Sequence, residues 1–283
     1  MSRTPTPESG IRLNRYLASC GIASRRKCED LIREGRIEIN GRVVIDLATR
    51  VQADDYVRCD GRVIRQEKET TILLHKPKGF LCTRDDPGGR RTIYDLLPPK
   101  FASLSYVGRL DLESRGLLLL TNSGSLNETL THPRHQVQKE YSVTLDQQIE
   151  PEAITRLLEG IRLAEGLARA ESVQNHGKKR LTVVLGQGYN RQIRRMFAKL
   201  GYKVRDLERV RIGILTMPDM APGEYKILDS KEIDRASQNP PAAKPKAPRP
   251  AKTKESTAAP LAPAKKKIAE RKPAKKKRFN SPR

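Results

Sequence analysis

The chain reads as α+β with a largely antiparallel sheet, and three observations lead there. Strand-like apolar runs outnumber amphipathic helical ones along the 283 residues. The two kinds are not evenly interleaved. Leu117 to Leu120 form an unbroken apolar run between Gly116 and Thr121-Asn122, which at that length is a strand buried on both faces.

Composition divides the chain further. Ser237 to Arg283 carries 15 Lys and Arg against two Glu, with nine of the 19 prolines. Too little apolar surface is present there to offset the entropy of ordering, so 237–283 is expected to be a disordered basic tail. The remaining residues still hold about +10 of the total net charge of +23, which suits a polyanionic partner, with general solubility as the plainer account. Residues 1–10 read as a flexible lead-in without secretory character. A small N-terminal domain is expected over 11–66 and a larger one over 70–236, joined by the charged linker 67–69.

In the small domain, Leu13, Tyr16 and Leu17 have helical spacing and Gly21 stops the helix. Ser24 is placed to cap a second helix, whose apolar positions Cys28, Leu31 and Ile32 recur at i, i+3, i+4. Gly35 ends it. Arg36 to Asn40 alternates as a strand, Asn40-Gly41 makes the turn, and Arg42-Val43-Val44 returns. A further strand covers Tyr56 to Gly61, ahead of Val63-Ile64. Arg12, Arg15, Arg25, Arg26, Lys27, Arg36 and Arg42 crowd the helix starts and the first strand. Such clustering suits phosphate binding, while a solvated charged face explains the charge equally well.

The larger domain opens with the strand Thr71 to His75, which Pro77 ends and Gly79 turns. Asp111 lies six residues before the leucine run, in a short turn shared with Arg109. A carboxylate beside a buried strand must find a partner, which makes Asp111 either a structural ion-pair residue or a catalytic one. Ser125 to Thr131 reads as a helix closed by His132-Pro133, Lys139 to Leu145 as a strand, and Pro151 to Glu159 as a helix. Leu181 to Leu185 is another buried strand. The loop Gly186 to Asn190 then leads into a helix ended by Gly201, with Ile193, Met196, Phe197 and Leu200 on its buried stripe. Arg191, Arg194, Arg195 and Lys199 lie off that stripe. Arg194, at its margin, is the best placed to reach inward to a carboxylate, although a surface position is the ordinary fate of such a residue. Leu207 to Leu215 reads as a strand that carries Arg209 into the same region.

Several chemistries find no support. There is no phosphate-binding G-x-x-x-x-G-K-[ST] loop, no dinucleotide fingerprint and no nucleophile elbow. Cys20, Cys28, Cys59 and Cys82 form no C-x-x-C pair, and the four histidines lack metal-ligand spacing. No metal and no cofactor are therefore expected. With no membrane-length apolar run, no lipidation signal and no disulfide framework, the expected setting is the cytoplasm, without a membrane.

Two resemblances sharpen this reading. L-N-R-Y-L-A-x-x-G-I-A-S-R-R-x-x-E-x-L-I-x-x-G-R-I-x-I-N-G, from Leu13 to Gly41, resembles the S4 RNA-binding domain, which implies a module that grips structured RNA by shape and phosphate. Residues 76–215 resemble the pseudouridine synthases of the RsuA/RluB family. The matching motifs are K-P-x-G at Lys76 to Gly79, G-R-L-D-x-x-S-x-G-L-L-L-L-T-N at Gly108 to Asn122, and K-x-Y at Lys139 to Tyr141. They continue with G-x-N-R-Q-I-R-R-M at Gly188 to Met196 and L-x-R-x-x-x-G-x-L at Leu207 to Leu215. One departure is Ser123, where many relatives carry Asp after the Thr-Asn.

The second resemblance implies isomerisation of a specific uridine in ribosomal RNA, most like the large-subunit enzymes of the RluB type. Asp111 would be the catalytic carboxylate and Arg194 the ion-pair partner that keeps it ionised and oriented. Tyr141 would stack on the uracil, Arg109 would act as a wedge or phosphate contact for the flipped nucleotide, and Ile193 would line the wall beneath the base. Lys76 has a structural or a site role. Ribosomal RNA or an assembling ribosomal subunit is the implied partner, met by a monomer. The rival reading is a noncatalytic RNA-binding or ribosome-assembly protein in which Asp111 and Arg194 form a structural pair.

Overall fold

The computed structural model describes residues 10–241. The small domain comprises β1 (Ile11–Arg12), α1 (Leu13–Ser19), α2 (Arg25–Arg33), β2 (Ile37–Ile39), β3 (Arg42–Val43), β4 (Arg50–Val51), β5 (Val57–Cys59) and β6 (Arg62–Val63). Ser24 Oγ accepts from Lys27 N at 3.3 Å and so caps α2, as its sequence position suggests. Strands pair in the order β3-β2-β5-β6, all antiparallel. Asn40-Gly41 and Asp60-Gly61 turn the two hairpins with positive φ at both residues, the backbone that best matches strand twist across a two-residue loop. Leu13, Leu17, Cys28, Ile32, Ile37 and Val57 form the core between helices and sheet.

The second domain follows with β7 (Thr71–Lys76), β8 (Ser105–Val107), β9 (Arg115–Thr121), α3 (Gly124–Thr131), β10 (Lys139–Leu145) and α4 (Pro151–Glu159). Next come β11 (Ile161–Leu163), β12 (Gly166–Ala168), β13 (Ser172–Asn175), β14 (Arg180–Leu185), α5 (Gln192–Lys199) and β15 (Val204–Ile212). The domain ends with β16 (Leu215–Thr216), β17 (Tyr225–Ile227) and α6 (Ser230–Ser237). Its main sheet has nine strands, running β13-β14-β10-β15-β9-β7-β17 with β8 and β16 beside β9 and β15. Only β15 beside β9 is parallel among these pairings.

Three apolar clusters cover the sheet. Leu118 and Leu120 share a cluster with Ile72, Leu74, Ile93 and Phe101, whereas Leu117 and Leu119 pack with Leu130, Ile212 and Ala236 of the other. The leucine run is thus buried on both faces. The third cluster joins Val143, Leu145, Leu181 and Val183 to Leu157, Ile193, Met196 and Phe197 of α4 and α5. Tyr141 packs against the first and third clusters together, which puts it at their seam.

That seam follows one row across the sheet. Tyr141 is opposite Arg209, Arg209 opposite Gly116, and Gly116 opposite Lys76. A register shift between Glu140 and Tyr141 leaves Val210 without a counterpart, a bulge of the kind that re-aims a side chain. Gly116 is needed because its φ is +110° and a Cβ there would stand 2.4 Å from Arg209 O.

The linker is fastened by the residues that follow the leucine run. Asn122 Oδ1 accepts from Thr70 N at 2.8 Å and its Nδ2 donates to Lys68 O. Ser123, the departure from the family pattern, donates to Glu69 at 2.9 Å. One boundary differs from the sequence reading, which begins the basic tail at Ser237. Residues 230–237 form α6, Ala236 is fully buried, and Asn239 bonds both Gln136 O and Gln138 N. Amphipathic spacing in so short and charged a segment was hidden by the prolines beyond it. Residues 242–283 of the expected tail and 1–9 of the expected lead-in lie outside the described residues.

Gly116→Ala is expected to destabilise the fold by about 2–3 kcal/mol, since both the φ and the backbone of Arg209 forbid a Cβ. Urea denaturation measures this, and a loss under about 0.5 kcal/mol would mean that β15 yields at no cost.

Candidate active site

Pro77 ends β7, and Gly79, at φ +82°, turns the chain so that its N–H donates to Leu112 O at 2.8 Å. This brings the end of β7 against the turn Asp111 to Ser114, closed by Ser114 N donating to Asp111 O at 3.0 Å. Lys76 is fully buried beneath that turn. Its Nζ donates to Pro77 O at 3.0 Å, Asp111 O at 3.1 Å and Ser114 O at 2.8 Å, which uses all three ammonium protons. Burial pulls its proton affinity below the ordinary lysine value. From the other side Cys82 Sγ accepts from Leu110 N at 3.4 Å.

The Asp111 side chain stands above this clamp, 26% exposed. Two guanidinium groups approach one of its oxygens: Arg191 Nη1 at 3.5 Å and Arg194 Nε at 3.8 Å from Oδ2. Neither distance is a close hydrogen bond. Arg194 is otherwise fixed, with Nη1 donating to Val204 O at 3.1 Å and Nη2 to Glu113 O at 2.9 Å and Ser114 Oγ at 3.2 Å.

Tyr141 is half-buried at the seam, with Ile193 4% exposed in the cluster beneath it. Arg209 is buried at 3% exposure, and its Nε donates to Leu117 O at 2.7 Å. Lys139 donates to Leu130 O at 2.9 Å. Burial, and next the nearness of Arg209, push its pKa down to about 8. Arg109 is exposed two residues before Asp111, after Gly108 at φ +66°. Asp206 is taken up by Lys78 at 2.6 Å and Arg115 at 3.0 Å, and Glu113 turns an exposed side chain to solvent. The arrangement presents one ionisable acid, two cations on it, and an aromatic ring on the same seam.

The family model for RNA pseudouridylate synthase matches residues 70–199, and that for the S4 domain matches residues 11–57. The chain is 36% identical to ribosomal large subunit pseudouridine synthase B of Bacillus subtilis, over 79% of this chain and 94% of the relative. The chain belongs to the RNA pseudouridine synthases, a family of isomerases.

It is also 38% identical to the enzyme of the same name from Vibrio cholerae, over 79% of this chain and 73% of that one. The relative of that name from Pseudomonas aeruginosa is 37% identical, and the match spans 82% of this chain but 64% of the relative's length. A crystal structure of a pseudouridylate synthase superposes with a TM-score of 0.60 at 30% identity, covering 80% of this chain and 100% of that one.

Within this pseudouridine synthase, Arg194 approaches Asp111, Lys76 holds the backbone of the Asp111 turn and not a side chain, and Tyr141 lies in the same sheet row as Lys76. Arg191 was missed. Spacing alone does not show it, because Arg191 stands just ahead of α5 in the left-handed region and not within the helix. In the S4 domain Arg12, Arg15, Arg25, Arg26, Lys27 and Arg42 are exposed. Arg15 lies along Gly124 at the start of α3, its Nε 3.3 Å from where a Cβ would stand. Arg36 is already engaged, with Nε and Nη2 forked on Asp60 at 2.8 and 2.7 Å.

Lys139 generates a pH test. Its folded-state pKa, about 8, lies below the ordinary 10.5, so between those values the unfolded chain binds more protons. Stability therefore rises with pH across that window and carries the full penalty below it. Lys139→Met is expected to flatten the rise between about pH 8 and 10, read from urea midpoints of both proteins. Equal slopes would remove Lys139 as the cause.

Proposed function

We propose that this chain converts a uridine of large-subunit ribosomal RNA to pseudouridine, with Asp111 as the catalytic carboxylate. The observation that carries this is the state of Asp111. Its turn is clamped through its backbone, yet its side chain accepts no hydrogen bond among the described residues and faces two guanidinium groups. A structural ion pair would be expected to close those distances and to leave solvent.

The reaction breaks N1–C1′, turns the uracil, joins C5 to C1′, and moves the C5 proton away while N1 is protonated. No atom of water enters the product and no electrons are gained or lost, so the chemistry balances without a cofactor. One carboxylate suffices, whereas hydrolysis at a glycosidic carbon would call for a second acid placed to activate water. Asp111 can serve either by attack at C1′ or along a glycal-type path, since both need an ionised oxygen beside the ribose. Arg194 orients that oxygen, while Tyr141 stacks on the uracil with Ile193 behind it. The target nucleotide must leave its stack, at a cost of a few kcal/mol, and exposed Arg109 offsets part of this as wedge or phosphate contact. The exposed arginines and Lys27 of the S4 domain hold surrounding RNA by its phosphates. The substrate is ribosomal RNA, free or in an assembling subunit, and the enzyme works as a cytoplasmic monomer. No described helix is long and apolar enough to cross a membrane.

Asp111→Asn is expected to abolish pseudouridine formation while RNA binding persists. Pseudouridine mapping on a large-subunit ribosomal RNA transcript and filter binding measure the two. Activity retained by the variant would sink the assignment, and release of free base, seen as a loss of RNA mass, would point to a glycosidase.

A further inference from the structure

Two arginines share Oδ2 of Asp111, and they are held in opposite ways. Arg194 is 13% exposed and bound to three fixed protein oxygens. Arg191 is 48% exposed, and its guanidinium makes no hydrogen bond among the described residues. An exposed pair of this kind contributes little and exchanges readily.

The backbone of Arg191 nevertheless has been placed with care. It sits just ahead of α5 in the left-handed region, at φ +47° and ψ 35°, which a long side chain rarely adopts. The surroundings hold it there. Gln192 Oε1 accepts from Tyr189 N at 3.0 Å, and Arg195 donates to Asn190 O at 2.9 Å while forking onto Glu165 at 2.7 Å. A strained conformation so firmly braced signals a side chain that must project from that point.

We propose that Arg191 passes from Asp111 to a phosphate of the RNA as substrate enters, uncovering the carboxylate for the ribose. A phosphate offers what Asp111 does not in this geometry: short, charge-assisted, bidentate hydrogen bonds to a guanidinium. The exchange is favourable for Arg191 and removes one of two cations from Oδ2 of Asp111, leaving that oxygen open to the ribose. Arg194, bolted to the turn, stays behind as the orienting partner. Asp111 is thus covered until RNA arrives, and the RNA itself does the uncovering. No bond is made or broken in this step. Arg191 is a positioning and binding residue, and its role rests on the pseudouridine synthase reading above.

The test is binding of an unmodified large-subunit ribosomal RNA transcript across a salt series. Arg191→Ala is expected to weaken binding about tenfold and to reduce the slope of log K against log salt by about 0.7 to 0.9, one phosphate contact. Arg191→Lys, which keeps the charge, should restore the slope. Asp111→Asn frees Arg191 and should tighten binding, and that gain should shrink when it is combined with Arg191→Ala. An unchanged slope in Arg191→Ala, or an equal gain from Asp111→Asn in both backgrounds, overturns the proposal. Conversion of uridine by the unmutated chain, counted on the same transcript, judges the functional reading separately. If no pseudouridine forms but the binding results hold, that reading falls and the phosphate contact stands.

Discussion

The site depends on a buried ammonium group. Lys76 lies at zero exposure under the Asp111 turn and spends all its protons on backbone carbonyls. Removing a cation from water is costly unless its hydrogen bonds are replaced, and three carbonyl dipoles at 2.8–3.1 Å replace them. The cost is still visible in the lowered proton affinity of Lys76. In return the turn has a single backbone geometry, because each carbonyl it offers to Nζ fixes a peptide plane.

Carbonyls matter here because a carboxylate would not do. A second acid under the turn would satisfy Lys76 more cheaply, but it would compete with Asp111 for Arg194 and could hold the proton that the chemistry must move. The other acids nearby are kept apart: Asp206 belongs to Lys78 and Arg115, and Glu113 contributes its carbonyl to Arg194 while its side chain is exposed. Lys76, Arg209, Arg191 and Arg194 bring positive charge to the seam, and Asp111 is the acid that Arg191 and Arg194 approach.

Local pattern made most of the fold legible. The leucine run, the strand Lys139 to Leu145 and the helix Pro151 to Glu159 each carry their own boundaries, so Pro151 and Gly160 mark the latter as clearly in sequence as in space. The small strands β11, β12 and β17 were not legible, since two or three residues carry no period and are held by their partners. At the site, Asp111, Tyr141 and Arg194 were found through motifs, because each motif fixes a residue type at a spacing. What spacing alone did not give was direction. Arg209 reads as one more basic residue on a strand, and only its register opposite Gly116 explains why it is buried. Arg191 reads as a helix residue facing away, and its left-handed φ turns it back toward Asp111.

The seam explains why the Asp111 turn is where it is. A sheet covered by two separate apolar layers must change neighbours somewhere, and the row Tyr141, Arg209, Gly116, Lys76 is that place. None of the four could lie in the middle of either layer without loss: two are cations, one has no side chain, and one carries a hydroxyl. Collecting them in a single row lets both layers remain dry, and it leaves a strip of rigid sheet with polar character and an aromatic ring. A turn laid over that strip inherits the rigidity of the strands, which is what precise positioning of a side chain needs. The S4 domain then needs no part in the chemistry. Its basic surface suits binding by charge and shape, tolerant of sequence.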